Sequence, residues 1–447
     1  MSIVKSFFQT LEFKFASEEK RKEVTNKRLH ELVDYARKHS PFLAELYKDL
    51  KDDYKLEDIP IVNKKMIMEN YDRWTTDPNV KLEELLAFTS DTNNIGKRYR
   101  NYLVCKTSGT TSFPLIMLHD QNFLNNTTAE SLFLGTMSHT PIAFINPLQL
   151  FVIPVCMVRD NLRRFPFIRK SFHLLDTMAP MEDLIRDLNR IQPKSLYTQP
   201  SIAELLADEQ VKGNLKLDIK EIVCNSEALP EGTREYLIRV FGCKVESIYG
   251  CTELGNVAVE CENKRHHLDS FWNIIEFMDE NNKPVKNGEK TAKLVVTNLS
   301  DRVLPIIRYE VNDKLIYRED DGNCPCGRKR DWIDIEGRAG VDLVLLQGEG
   351  ELRRVYLEDP RYMCTCVVEG LRRLQLAVHG YKEIECRVII EDYVDQTAAK
   401  EKIRTIIADY VRGYGIKDCK VYVSETKPQL DPVSMKIKDI FQDQIEK

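Results

Sequence analysis

The chain has no surplus of positive charge: 65 lysines and arginines stand against 70 aspartates and glutamates, a net charge of −5. Binding nucleic acid calls for a basic stripe or patch, so no nucleic-acid partner is expected. Long apolar runs are also missing. The longest, about residues 148–158, is far short of the roughly 20 residues a membrane span requires, and no membrane partner is expected. The N-terminal stretch carries Lys5, Lys14 and Glu18 and lacks an apolar core followed by a small-residue cleavage site. No signal peptide is therefore expected, and a cytoplasmic location follows. Repeats and low-complexity tracts are absent. With 43% hydrophobic and 30% charged residues, the composition is that of an ordinary globular protein.

At 447 residues the chain exceeds the usual single-domain size, so two or three domains are expected. Its 12 cysteines, without a secretion signal, read as thiols or metal ligands rather than disulfides. Cys105, Cys156 and Cys224 lie in apolar surroundings and read as small core residues. The first hundred residues are a helical preface, in which Leu29, Leu32, Val33 and Ala36 recur on one helical face ahead of Pro41. From Asn101 the pattern alternates. Residues 150–153, 221–224 and 245–249 read as strands, and 181–191 and 231–241 as helices. Such alternation implies a sheet with helices on its faces. After Gly337 a smaller α+β unit begins, with strands at 374–378, 387–390 and 420–423 and a helix at 399–412. The expected class is mixed α/β: a large N-terminal domain, 1–337, and a small C-terminal domain, 338–447.

Three stretches carry candidate chemistry. Tyr102 to Val104 leads into Thr107-Ser108-Gly109-Thr110-Thr111-Ser112-Phe113-Pro114, and Leu115 to Leu118 follows. A loop of small and hydroxyl residues between strands bares backbone N–H groups that can hold phosphate oxygens. It is not a Walker loop, because no lysine closely follows Gly109. The same composition also suits a plain turn. The second stretch, Ser247-Ile248-Tyr249-Gly250-Cys251-Thr252-Glu253, ends a strand with an aromatic, a hydroxyl and a carboxylate. The ring can stack on a purine, and Thr252 and Glu253 offer hard oxygens to Mg²⁺. In the third, Pro305 to Asp313, a carboxylate past an extended segment can accept both hydroxyls of a ribose.

In this order the three stretches resemble the acyl-adenylate-forming superfamily of acyl-CoA synthetases and adenylation domains. The nearest likeness is the phenylacetate–coenzyme A ligase branch, which includes coenzyme F synthetase and capsule-associated relatives. Asn225-Ser226-Glu227-Ala228-Leu229 resembles the family's nucleotide-pocket strand end and Gly337-Arg338 the start of its hinge; the segment Arg28 to Tyr47 is also similar to this branch. The resemblance implies the fold, a C-terminal domain that closes over the site, and two half-reactions. ATP and Mg²⁺ first convert a carboxylic acid, aryl or related, to acyl-AMP. A thiol then takes the acyl group, coenzyme A being the expected acceptor and a carrier protein or an amine the alternatives. A degenerate nucleotide binder is a further alternative, and a homodimer is allowed. Thr107, Ser108, Gly109, Thr110 and Thr111 would hold phosphates. Ser226, Glu227, Ala228 and Gly250 would line the nucleotide pocket, Tyr249 would meet the adenine, and Asp313 and Arg338 the ribose. Thr252 and Glu253 would act with Mg²⁺.

This chain departs from the family pattern in places. Ser112-Phe113 replaces a Gly-x pair, and Arg338-Ala339-Gly340 replaces the usual hinge. Lys436 is the candidate for the lysine that bridges carboxylate and α-phosphate, with Lys438 second; the expected glycine before it is missing. Tyr197 and Pro200 are expected at one wall of the acyl pocket, in a segment where Ser201 would otherwise cap a helix. Arg159, Arg163, Arg164, Arg169 and Lys170 could meet the phosphates of coenzyme A, or simply form a solvated face. Cys261 and His267, then Cys324 and Cys326, supply three thiolates and an imidazole, a set suited to tetrahedral Zn²⁺. His266 is the alternative to His267. Four protein ligands leave no open position, so such a zinc would be structural.

Overall fold

The computed structural model describes all residues except 1, 108–114, 135–138, 178, 180, 269–270, 312, 339–342, 349, 358–359, 362–363, 365–366, 414, 433–436 and 444–447. The fold is the expected mixed α/β one, a large multi-sheet part followed by a smaller α+β part. By internal contacts the chain divides into two units: Met1–Tyr197 with Glu246–Gly337, and Thr198–Val245 with Arg338–Lys447.

In the first unit, helices dominate up to Ser90. Ser17 caps the helix Glu18–His39 by accepting from Lys20 N, with two glutamates in its first turn and Arg37, Lys38 and His39 in its last. Both ends thus complement the helix dipole. Leu29, Leu32, Val33 and Ala36 are its buried face. The strands Tyr102–Lys106 and Ile116–His119 pair antiparallel. The strand Ile142–Asn146 lies parallel to both Phe172–Asp176 and Ser195–Thr198.

The expected strand at 150–153 is not formed. A helix, Ile153–Arg164, starts there, with proline in its first turn. Proline's missing N–H costs nothing at that position and its fixed φ suits the helix. The apolar residues of the run therefore belong to a helix face on which Val155 and Cys156 are buried.

Further along the first unit, Lys244–Cys251, Gly255–Glu260, His266–Leu268 and Trp332–Arg338 form a run of antiparallel neighbours. The helical preface is tied in by Val62, whose N–H donates to Arg308 O and whose carbonyl accepts from Glu310 N. Arg308, buried and left-handed (φ 47°), fixes that junction. It makes a two-pronged contact with Glu276 at 3.0 and 2.8 Å and donates to Glu57 O and Ile59 O.

In the second unit a four-stranded sheet runs in the order Lys420–Val423, Glu383–Ile390, Leu371–His379, Ile440–Gln442. The helix Gln396–Gly413 covers it, burying Ala399, Ile403, Ile407 and Val411. These join Leu374, Leu376, Val378, Ile384 and Cys386 in one hydrophobic core. The helices Pro200–Val211 and Glu231–Phe241 pack on each other in the same unit.

Candidate active site and metal centre

Tyr249 sits near the end of its strand, where the pairing register slips between Tyr249 and Gly250. A Cβ on Gly250 would lie 2.5 Å from Gly255 O, so no side chain fits there. This bulge directs Tyr249 to Asp313: its hydroxyl donates to Asp313 Oδ2 at 2.6 Å. Asp313, 6% exposed, opens the strand Asp313–Arg318. Glu253 is equally buried, and its carbonyl accepts from Asn298 Nδ2 at 2.8 Å. Burial, and then Glu253, push the Tyr309 phenol far above its ordinary range. Burial also raises the Cys251 thiol, with Glu253 and Asp313 adding to the effect. Glu253 and Asp313 therefore share one buried, acidic neighbourhood, and the half-buried Tyr249 reaches it through Asp313. The hydroxyl of Thr252 and the carboxylate of Glu253 are hard oxygen donors of the kind Mg²⁺ takes.

At the base of the small-residue loop, Thr107 pairs with Leu115 twice. Thr107 N donates to Leu115 O, and Leu115 N donates to the Thr107 hydroxyl. Ser108, Gly109, Thr110 and Thr111 lie outside the described residues, as does Lys436. Arg338 ends the strand Trp332–Arg338, and its side chain is not described. Lys438 donates to Asp431 at 2.5 Å.

In the second unit, Ser226 is held left-handed at φ 65°, a conformation that costs energy outside glycine and is concentrated at functional sites. The Glu227 side chain is 6% exposed. It accepts from Ser201 N and Oγ and from Ile437 N, with Arg373 4.0 Å away. Ser201 is thus committed to Glu227 and does not cap its helix, in which Gln199 is the residue at the cap position. No local signal encodes this pairing across 26 residues. Pro200 is buried in the first turn of that helix. Tyr197, in the first unit, stacks on Phe144 with ring centres 5.1 Å apart.

The basic cluster is largely spent on its own fold. Arg159 donates to Ile95 O, Arg163 to Gly96 O, Arg169 to Leu162 O, and Arg164 to Asn125.

Cys261, His267, Cys324 and Cys326 converge. Their ligand atoms all lie within 4.8 Å of one another. Sulfur separations are 3.7 Å (Cys261–Cys324) and 3.2 Å (Cys324–Cys326), and His267 Nε2 is 3.4 Å from Cys324 and from Cys326. Zinc bonds of about 2.3 Å to sulfur and 2.0–2.1 Å to nitrogen set tetrahedral ligands roughly 3.5–3.8 Å apart; the four separations, 3.2–3.7 Å, lie at or just inside that range, so small side-chain shifts would admit the ion. His267 Nδ1 lies 3.1 Å from Arg330 O. That bond fixes the tautomer that leaves Nε2 free for a metal, a support the sequence did not signal. His266 is engaged elsewhere, 2.8 Å from the Ser247 hydroxyl.

Over residues 20–297 the sequence matches the family described as AMP-binding enzyme. The chain belongs to that family. No curated protein sequence matches it. Among solved structures, a 2-hydroxyisobutyryl-CoA ligase in the postadenylation state with 2-HIB-AMP superposes at TM-score 0.70 and 18% identity. That match covers 97% of this chain and 91% of the ligase. The same ligase with 2-HIB-AMP and CoA in the thioesterification state gives 0.58 and 19%, covering 96% and 91%. An amide bond synthetase from Marinactinospora thermotolerans gives 0.51 and 14%, covering 75% and 67%. At these identities the likenesses show a shared fold. Among the described residues, no helix of this AMP-binding enzyme is long and apolar enough to cross a membrane.

Proposed function

We propose that this AMP-binding enzyme is an ATP- and Mg²⁺-dependent acid–thiol ligase of the phenylacetate–coenzyme A ligase-like branch. The observation that carries the reading is the Tyr249–Asp313 pair beside Glu253. On this reading Tyr249 offers an aromatic face, Asp313 a ribose acceptor and Glu253 a carboxylate for the metal. In the first half-reaction a carboxylate oxygen of the acid attacks the α-phosphorus of ATP and pyrophosphate leaves. Mg²⁺, bound through Thr252 and Glu253, would offset charge on the phosphate oxygens. The main chain and hydroxyls of Thr107 to Thr111 hold the phosphates. Ser226 to Ala228, Tyr249 and Gly250 bind the base, and Asp313 with Arg338 the ribose. Lys436 bridges the carboxylate and the α-phosphate. This is catalysis by positioning and electrostatics. In the second half-reaction the thiolate of coenzyme A attacks the acyl carbonyl and AMP leaves. Residues 338–447, with a core of their own, are the part we read as mobile, a gating role. Zinc at Cys261, His267, Cys324 and Cys326 pins two loops and takes no part in the reaction.

The test is ATP–pyrophosphate exchange across a panel of carboxylic acids, followed by acyl transfer to coenzyme A. Exchange that depends on one acid class, with thioester formed on adding coenzyme A, is the expected result. Binding of Mg-ATP without exchange on any acid would move the reading to a nucleotide-binding homologue. Exchange with transfer only to an amine or a carrier protein would change the acceptor.

A further inference from the structure

The strands Ser195–Thr198 and Glu221–Cys224 end beside each other, with Asn225 N donating to Thr198 O at 3.0 Å. At these ends three buried polar side chains find no hydrogen-bond partner among the described residues. They are Thr198 at Oγ1, Gln199 at Oε1, and Asn225 at both Nδ2 and Oδ1. They are 0%, 1% and 4% exposed. Gln199 stands at the helix cap position but makes no side-chain cap. Their neighbour Glu227 is served by Ser201 and Ile437, so the missing partners belong to these three residues and not to the whole strand end.

Buried polar groups are nearly always paired, and leaving them unpaired destabilises the fold that holds them. A cluster kept in this state on adjacent strand ends of an α/β protein is a place for a ligand. Its chemistry is set by what is offered: an amide that both donates and accepts, a further amide oxygen, and a hydroxyl. The cluster adjoins Ser226–Ala228, given above to the nucleotide, and Pro200, given to the acyl wall. We propose that Thr198, Gln199 and Asn225 select the acyl group. On this account the acid activated carries its own donor and acceptor, such as a hydroxyl or a carboxamide, on the acyl side. Bare hydrocarbon acids of the same size are rejected. This inference rests on the ligase reading and narrows its substrate class.

The test compares wild type with Asn225→Leu and Thr198→Val, using pairs of acids that differ only in a hydroxyl or carboxamide. Wild type should favour the polar member by about 100-fold or more in kcat/KM for exchange, because a site built for a polar group leaves its own groups unpaired when that group is absent. Asn225→Leu should erase most of that preference, and its loss in kcat/KM should be far larger for the polar acid than for the apolar one. Unliganded Asn225→Leu should melt no lower than wild type, since it replaces an unpaired buried amide by an apolar group. Equal use of polar and apolar acids by wild type would overturn the proposal. So would a rise in the KM for ATP with acid preference intact, which would give the amide to the adenine. If no acid supports exchange, the ligase reading fails separately. The same acid pairs are then compared by thermal shift, where stabilisation by the polar member that is lost in Asn225→Leu sustains the pocket and its absence refutes it.

Discussion

Tyr249 donates its hydroxyl to Asp313 at 2.6 Å, across 64 residues of chain. The bond ties the carboxylate to the tip of the Tyr249 ring; the proposed reading gives the ring to the adenine and the carboxylate to the ribose. Hydrogen bonds to charged groups contribute about 1.5–3 kcal/mol. Asp313→Asn should therefore raise the KM for ATP by roughly 10–100-fold, and Tyr249→Phe, which keeps the ring, by less. An unchanged KM for ATP in Asp313→Asn would take the ribose role away from this residue.

The Cys261, His267, Cys324 and Cys326 cluster should hold one equivalent of zinc in protein purified without added metal. His267 lies on a strand paired with Trp332, so metal loss should loosen that ladder. Cys324→Ser should lower the melting temperature by roughly 5 °C or more, since 1 kcal/mol shifts a unit of this size by about 2–4 °C. Well under one equivalent of zinc in fully folded protein would remove the site.

Lys438 is held by Asp431, both side chains partly exposed at 34% and 19%. The proposed reading gives the α-phosphate to Lys436. Lys436→Ala should cut pyrophosphate exchange by about 100- to 1,000-fold, the range for losing one positioned donor. Lys438→Ala should change little, as exposed ion pairs contribute about 0–1 kcal/mol. The reverse outcome would assign the role to Lys438.

Burial, with Asp301 nearby, pushes the Asp120 carboxyl up to about 6, although the main-chain N–H groups of Phe123, Arg302 and Asn122 pull it down. An unfolded aspartate titrates near 3.9. Between about pH 4 and pH 6 the folded protein thus keeps a proton that the unfolded chain has lost. Stability should fall as pH rises through that window, by up to about 3 kcal/mol, and stay level above it. Asp120→Asn keeps the oxygen that accepts from Asn122 and Phe123. It should flatten this slope in denaturant midpoints measured from pH 4 to 7; an unaltered slope would place the titration elsewhere.

Elements with strong local periodicity were legible from sequence. The four buried residues of the helix Glu18–His39 and those of the helix Gln396–Gly413 follow the apolar spacing. Residues 150–153 misled because a short apolar run fits a strand or a buried helix face, and only proline's place in the first turn decides. Ser201 looked like a cap because serine before an apolar run usually is one. A buried carboxylate 26 residues away outcompeted the helix end for it.

The sequence by itself determined the order of the motifs, the ligand chemistry of the cysteines and histidine, and the family. Each is a matter of residue type and near spacing along one strand end or loop. Only the tertiary structure decided that Tyr249 reaches Asp313, that Arg330 O orients His267, and that Asn225, Thr198 and Gln199 are buried with polar atoms unpaired among the described residues. Those facts depend on which strands lie side by side and in what register. Register is set by long-range packing, and no window of neighbouring residues contains it.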